Sequence, residues 1–445
     1  MEQLFLIDAM ASNWPFIRDL ILQDDPALEA ELNEYMSRIQ SAETASEKDT
    51  HFKLLLEFLE DTAACDLVKN LISRNSVSEL YGERGAVVET LEAVTAESSE
   101  DLSAHETEAA NNLARAMNLS TSPTPVPVFF ATNREASRSG SSELTGFNGN
   151  HSGKLTFGQA VVNVPVAHEI GKVEKPRWWS LDKGNAEKYM THRLANEMSS
   201  ETFQTELAQT IESDTDRDLL VFMHGYNVSF DEAVLRAGQI AYDLDFAGTV
   251  VLFSWPSKGS LLGYFSDESN SIASARYLFD FLAILDNGPW RRVHVIAHSM
   301  GNRVLLSALS GNPSDTLKLG QIIFAAADVY VQTFNAEFPK LGSVGLSKTS
   351  YVSDNDRALF ASSLLHSGQR VGYPENNMVY CTKGMETIDT SPINNGLSMF
   401  GLNHSYISDD RSVITDVGYL LEHGHKADDR KGLRQLPNQP YWTFR

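Results

Sequence analysis

The spacing of apolar side chains changes near residue 120. Before it, Leu54, Leu55, Phe58 and Leu59, then Ala63, Leu67 and Leu71, recur three and four residues apart, the repeat of one helix face. Residues 106–117 carry the same pattern. Residues 1–120 are therefore expected to form a small all-helical domain. The stretch 119–127, LSTSPTPVP, sets Pro123, Pro125 and Pro127 close together, which stops helix and favours extended chain. From there short apolar runs alternate with amphipathic ones. Segments 126–134 and 155–166 read as strands. Segment 219–223 is apolar throughout, as a strand buried on both faces should be. A helix follows over 231–244, with Val234, Ala237, Ile240, Ala241 and Leu244 on one side and Ser229 and Glu232 at capping-box spacing. Strand 249–255, helix 272–285, strand 293–297, a helix from Met300, strands 321–326 and 349–353, a helix near Asn355, a strand at 378–382 and a last helix over 412–422 complete the prediction. Residues from Gly384 to Leu402, with Met385, Ile388, Met399 and Phe400, read as a long loop able to cover a site.

Alternation of this kind builds a mostly parallel sheet with helices on both faces, an α/β fold spanning residues 121–445. Right-handed crossovers put every strand C-terminus, and with it the site, at one edge of the sheet.

Charge narrows the partners. The chain of 445 residues has 36 basic and 59 acidic side chains, a formal net charge of −23. Residues 1–120 hold 24 acidic and 8 basic side chains, a net −16. Such a field repels nucleic-acid backbone and anionic membrane surfaces. Two cysteines, Cys65 and Cys381, allow one disulfide at most and read as thiols in a reducing compartment. The first residues lack a basic segment, and Asp8 interrupts their apolar run, so no signal peptide is expected. No uninterrupted apolar run approaches about 18 residues. A soluble, cytoplasmic protein with no integral membrane segment is the expectation.

The chemistry concentrates at Val293-His294-Val295-Ile296-Ala297-His298-Ser299-Met300-Gly301-Asn302-Arg303. Strand, then small-x-Ser-x-Gly, then helix is the pattern of a nucleophile elbow, with Ala297 at the first small position. A serine on so sharp a bend adopts strained backbone angles, and residues two before and two after it must be small or they collide. The Met300 N–H then sits at a helix N-terminus, where it can meet a developing oxyanion. A second donor is expected after strand 219–223, where His224-Gly225-Tyr226-Asn227 follows. The Tyr226 N–H is the candidate, with Asn227 as the neighbour able to serve instead. The acid and base should follow in the order acid, histidine. Asp356 lies where strand 349–353 gives way to helix, a place that also suits a helix cap; Asp354 and Asp328 compete with it. Of His366, His404, His423 and His425, only His404 lies in a loop ahead of the last helix, where an imidazole can reach Ser299. In this reading His404 takes the Ser299 proton, and Asp356 fixes its tautomer and stabilises the imidazolium. His423 and His425 lack further ligand spacing, so no metal or other cofactor is expected.

Together, Val128-Phe129-Phe130-Ala131-Thr132-Asn133-Arg134, Phe157-Gly158, His224-Gly225-Tyr226-Asn227-Val228-Ser229-Phe230, Phe253-Ser254-Trp255-Pro256-Ser257, the elbow around Ser299, and Asp356-Arg357-Ala358-Leu359 carry a resemblance. The chain resembles the bacterial α/β-hydrolase family of the domain of unknown function numbered nine hundred, over roughly residues 126–425. That resemblance implies a lipase- or esterase-like fold and triad and leaves the substrate and residues 1–120 unassigned.

Two functions are weighed. The first is hydrolysis of a small-molecule or lipid ester through an acyl-enzyme on Ser299. Thioesters and amides satisfy the same residues. The second is a non-catalytic or regulatory protein that uses the hydrolase scaffold for binding, with residues 1–120 recruiting a protein partner.

Overall fold

Strand 219–223 is apolar at every position because both of its faces are covered. The computed structural model describes residues 29–42, isolated positions from 44 to 55, and 122–445 apart from 140–142, 177–184, 211–217, 259–263, 312–316, 357, 360–361, 364–367, 376–377 and 394–403. The chain divides into two units, Met1–Thr124 and Pro125–Arg445. In the first, helix α1 (Glu29–Ser41) buries Tyr35, Met36 and Ile39, positions that share one helical face. The remainder of the all-helical domain expected for residues 1–120 lies outside the described residues.

The second unit carries an 11-stranded sheet. Its strands are β1 (Thr124–Ser139), β2 (Glu143–Val164), β3 (Thr191–Met198), β4 (Asp218–Met223), β5 (Gly248–Ser254), β6 (Arg292–His298), β7 (Leu319–Ala325), β8 (Ser347–Val352), β9 (Glu386–Asp389), β10 (Leu433–Gln435) and β11 (Trp442–Phe444). They lie in the order β10-β11-β9-β8-β7-β6-β4-β5-β1-β2-β3. All pairings from β11 through β9, β8, β7, β6, β4 and β5 to β1 are parallel; β10 and β3 are antiparallel to their neighbours. The helices are α2 (Ser200–Gln209), α3 (Phe230–Asp243), α4 (Tyr264–Asp286), α5 (Gly301–Ser310), α6 (Val331–Glu337), α7 (Tyr406–Asp409) and α8 (Arg411–His423).

Strand β4 explains the layering. Leu219, Val221 and Met223 face a core shared with α2, α4, α5 and α6. Leu220 and Phe222 face the opposite core, shared with α3, α7 and α8. Period-two alternation thus feeds two apolar layers, and burying each such side chain contributes roughly 1.5–3 kcal/mol. The capping box expected at Ser229 and Glu232 forms at the start of α3.

From β4 the chain adds β5 on one side and then returns to add β6 on the other. The order reverses at this point, the place where sites of open α/β sheets form, beyond the C-terminal ends of the strands. His224-Gly225 leaves β4 there, and Ser299 leaves β6.

Two expectations need correction. Residues 378–382 do not form a strand: Met378 makes only an isolated bridge with Glu375, and the strand is β9, parallel to β8. Met378 is exposed, and Tyr380 covers α6 instead. Tyr380 packs edge-on against Phe334 at 5.7 Å and donates to Asn335 at 2.7 Å. The stretch from Gly384 to Leu402 is not one loop either. It contains β9, and Ile388 is buried in the sheet; Met399 and Phe400 lie outside the described residues. Among the described residues no helix is long and apolar enough to cross a membrane.

Candidate active site

Ser299 stands between β6 and α5 with φ of 53°, a left-handed conformation costly to any side-chain-bearing residue. Its backbone is held from several sides. The Ser299 N–H donates to Ala325 O at 2.9 Å, and Ser299 O accepts from the N–H groups of Asn302 at 3.1 Å and Asp328 at 3.2 Å. Asn302 Nδ2 donates to the same oxygen at 2.9 Å. The requirement for small neighbours is visible in space. A Cβ on Gly301 would lie 2.6 Å from His224 O, and one on Gly225 would lie 2.7 Å from Ser299 Cβ. Gly225 therefore lets the loop after β4 lie directly against the serine.

Asp356 follows β8 and is fully buried. Its carboxylate makes two contacts at once. Oδ1 accepts from the Leu359 N–H at 2.9 Å, as a cap does, and Oδ2 lies 2.7 Å from His404 Nδ1. The carboxylate can only accept, so Nδ1 carries the proton and Nε2 is left bare, the tautomer a general base needs. Burial works to lower the His404 pKa, and the Asp356 charge and hydrogen bond outweigh it and raise it. His404 O accepts from His298 Nε2 at 2.9 Å, and the two imidazole rings lie 4.6 Å apart. The base candidate thus rests against the residue that immediately precedes Ser299. Among the described residues no hydrogen bond joins Ser299 Oγ to the His404 ring; such contacts are often long until substrate is bound.

The competing acids are otherwise engaged. Asp354 is exposed, and its N–H donates to Ser391 Oγ. Asp328 is buried and accepts from Tyr264 Oη and Ser362 Oγ, both at 2.7 Å, beside Arg303 at 3.5 Å and Arg370 at 3.4 Å. Of the other histidines, His423 and His425 cluster around Tyr419 at the end of α8, and His366 lies outside the described residues.

The N–H of Met300 stands at the start of α5 with no acceptor among the described residues. On the loop after β4, the Asn227 N–H donates to the buried Asp267 carboxylate. Tyr226 packs edge-on against Tyr264 at 5.1 Å.

Arg134, His224 and Trp255 stand in the motifs quoted for the resemblance, but the sequence assigns them no role. Arg134, at the end of the apolar part of β1, is buried and fans its guanidinium across three segments. It donates to Ser254 Oγ at 2.9 Å, Ser257 O at 2.8 Å, Val228 O at 2.8 Å and His224 Nε2 at 3.2 Å. Burial lowers its pKa to about 9, against the pull of Asp267, so it is charged at neutral pH. His224 donates from Nδ1 to Gly225 O at 2.8 Å and stacks on Trp255, whose Nε1 donates to His224 O at 2.9 Å. Burial, then the Arg134 charge, pushes His224 down to about 3, so it is neutral. His298 was passed over too. Burial and then His404 hold it well below the ordinary histidine range.

Among the described residues no group of three or more His, Cys, Asp or Glu side chains converges as metal ligands do. The arrangement offers a strained serine, a histidine paired with a buried carboxylate, and backbone donors at a helix start and a glycine turn.

The profile of the family described as alpha/beta hydrolase of unknown function (DUF900) matches residues 199–421. An uncharacterized protein of Nostoc sp. (strain PCC 7120), alr1448, is 26% identical over 157 residues, covering 27% of this chain and 41% of that protein. The chain thus spans less than half the length of this curated relative.

Proposed function

Because the chain belongs to the alpha/beta hydrolases of unknown function, we propose that it is a serine hydrolase acting on carboxylic esters through Ser299, His404 and Asp356. The observation that carries the proposal is the 2.7 Å bond between His404 Nδ1 and buried Asp356, on an imidazole packed against the residue before the strained serine. In the reaction, Ser299 Oγ attacks the ester carbonyl while its proton passes to His404 Nε2. The oxygen of the tetrahedral intermediate accepts from the Met300 and Tyr226 N–H groups. Collapse breaks the bond to the alcohol, which leaves with the proton from His404. Water, deprotonated by His404, then attacks the acyl-serine, and the acid departs as Ser299 recovers its proton. Asp356 stabilises the imidazolium formed twice along this path.

The substrate expected is a small-molecule or lipid ester, taken without a cofactor. Turnover of p-nitrophenyl acetate and butyrate by wild type and Ser299→Ala tests the reading. The variant should lose on the order of a thousandfold or more in kcat, and a fluorophosphonate probe should label wild type at Ser299 alone. Equal rates for the two proteins would remove the proposal.

A further inference from the structure

His298 has no part in the reaction as written, yet it touches the base candidate twice, through a hydrogen bond and through its ring. Its Nε2–H donates to the His404 carbonyl at 2.9 Å, and its ring lies 4.6 Å from the His404 ring at 51°. Its other nitrogen faces Gly225: a Cβ built there would lie 3.1 Å from His298 Nδ1. His298 is also the last residue of β6, joined covalently to Ser299. Among the described residues His404 has two hydrogen-bond partners, Asp356 on its side chain and His298 on its backbone. The chain beyond is tied elsewhere, by Tyr406 Oη to Tyr351 O at 2.9 Å and Gln239 Nε2 to Ser408 O at 2.9 Å.

We infer that His298 is a positioning residue for the base: it pins the His404 carbonyl and ring to the end of β6, and so keeps the imidazole in register with Asp356 on one side and Ser299 on the other. The inference rests on the proposed triad. Among the described residues the other ties of this segment run through Tyr406 to β8 and through Ser408 to α3, so without the link the distance from base to nucleophile depends on a longer path through the structure.

The chemistry favours histidine here. An imidazole supplies a donor on one edge and a flat face against its neighbour. It must also stay uncharged, since a second positive ring would oppose the imidazolium formed on His404. Burial, the His404 ring, Arg236 and His224 all disfavour a proton on His298. Around His404 the facing charges are Asp356, Asp328 and Asp409, which favour one. The pair therefore divides the work: one ring titrates and the other stays neutral.

The test uses the full chain with labelled histidine, following the His404 ring by NMR titration and kcat on p-nitrophenyl butyrate in parallel. In wild type the Asp356 pairing should hold the His404 titration above the ordinary 6.5. In His298→Phe, which keeps a ring and loses the donor, that pKa should fall toward the ordinary value as the Asp356 pairing loosens. The acid limb of the kcat/KM profile should move down with it. Loss of one orienting hydrogen bond should lower kcat by about tenfold, with KM changed less than about twofold. His298→Gln, whose amide can reach the same carbonyl, should recover most of both. If His298→Phe does not fold, His298→Met supplies a donor-free side chain of similar bulk. An unmoved His404 titration in the donor-free variant overturns the inference, and so does an equal loss in the Gln variant. A wild type with no Ser299-dependent turnover removes the hydrolase reading, while the titration still decides the positioning role.

Discussion

At the scale of single residues, the site depends on side chains that are absent as much as on those present. Gly225 is the clearest case. A Cβ there would sit 2.7 Å from Ser299 Cβ, an atom that no side-chain rotation moves, and 3.3 Å from Oγ. Gly225→Ala should push the loop that offers the Tyr226 N–H away from the serine. Loss of one such donor lowers turnover on the order of 100-fold or more. Steady-state kinetics on p-nitrophenyl butyrate would register it, with far-ultraviolet circular dichroism unchanged; wild-type kcat would remove Tyr226 from the oxyanion site. The candidates Ser299, Asp356 and His404 were legible because each carries a local signal: small residues around a serine, a carboxyl at a strand-to-helix junction, a histidine ahead of the last helix. Arg134 and His298 carry no such signal. They matter through partners 90 and 106 residues away, and only the folded chain brings those partners together.

At the scale of elements, the loop after β4 is held by β1 and β5. Arg134 on β1 binds Ser254 and Ser257 at the end of β5 and Val228 after β4, so three segments meet at one buried cation. Arg134→Met leaves carbonyls at 228 and 257 buried without that donor. Relief from burying a charge offsets part of the loss, but several hydrogen bonds to a charged donor disappear together. The variant should be destabilised by about 2–4 kcal/mol in urea unfolding. Arg134→Lys should recover little, since an ammonium cannot span the same fan. An unchanged midpoint would show that the three segments hold without it. Central strands were legible for the same reason that they are central: burial on both faces demands continuous apolar runs, as in β4, β6 and β7. The edge strands β3 and β10, and β11 beside β10, are short or polar, so their sequences resemble loops. Residues 378–382 misled in the opposite sense, because an apolar run can cover a helix as well as enter a sheet.

At the scale of the whole molecule, stability should depend on pH through a histidine far from the chemistry. His168, in the segment after β2, lies with Nε2 2.8 Å from Asp243 at the end of α3 and Nδ1 3.0 Å from Glu174. Burial works against the charge, but the two carboxylates outweigh it and raise the pKa from 6.5 to about 9. A folded-state pKa above the unfolded one means that the charged ring stabilises the fold fully below 6.5, and that this contribution is lost as pH rises through about 9. The melting temperature of wild type should fall across that interval. His168→Gln should be less stable at pH 6.5 and show a flatter curve, and parallel curves for the two proteins would remove His168 from the account. The bend at position 299 has a different kind of consequence. Its amide and carbonyl are already bonded to Ala325, Asn302 and Asp328, so the hydroxyl cannot be shifted without breaking the sheet edge that carries it. Under the proposed reaction, divergence toward bulkier or differently shaped acyl groups therefore has to come from the turn after β4, with the Ser299 hydroxyl as the one point left standing still.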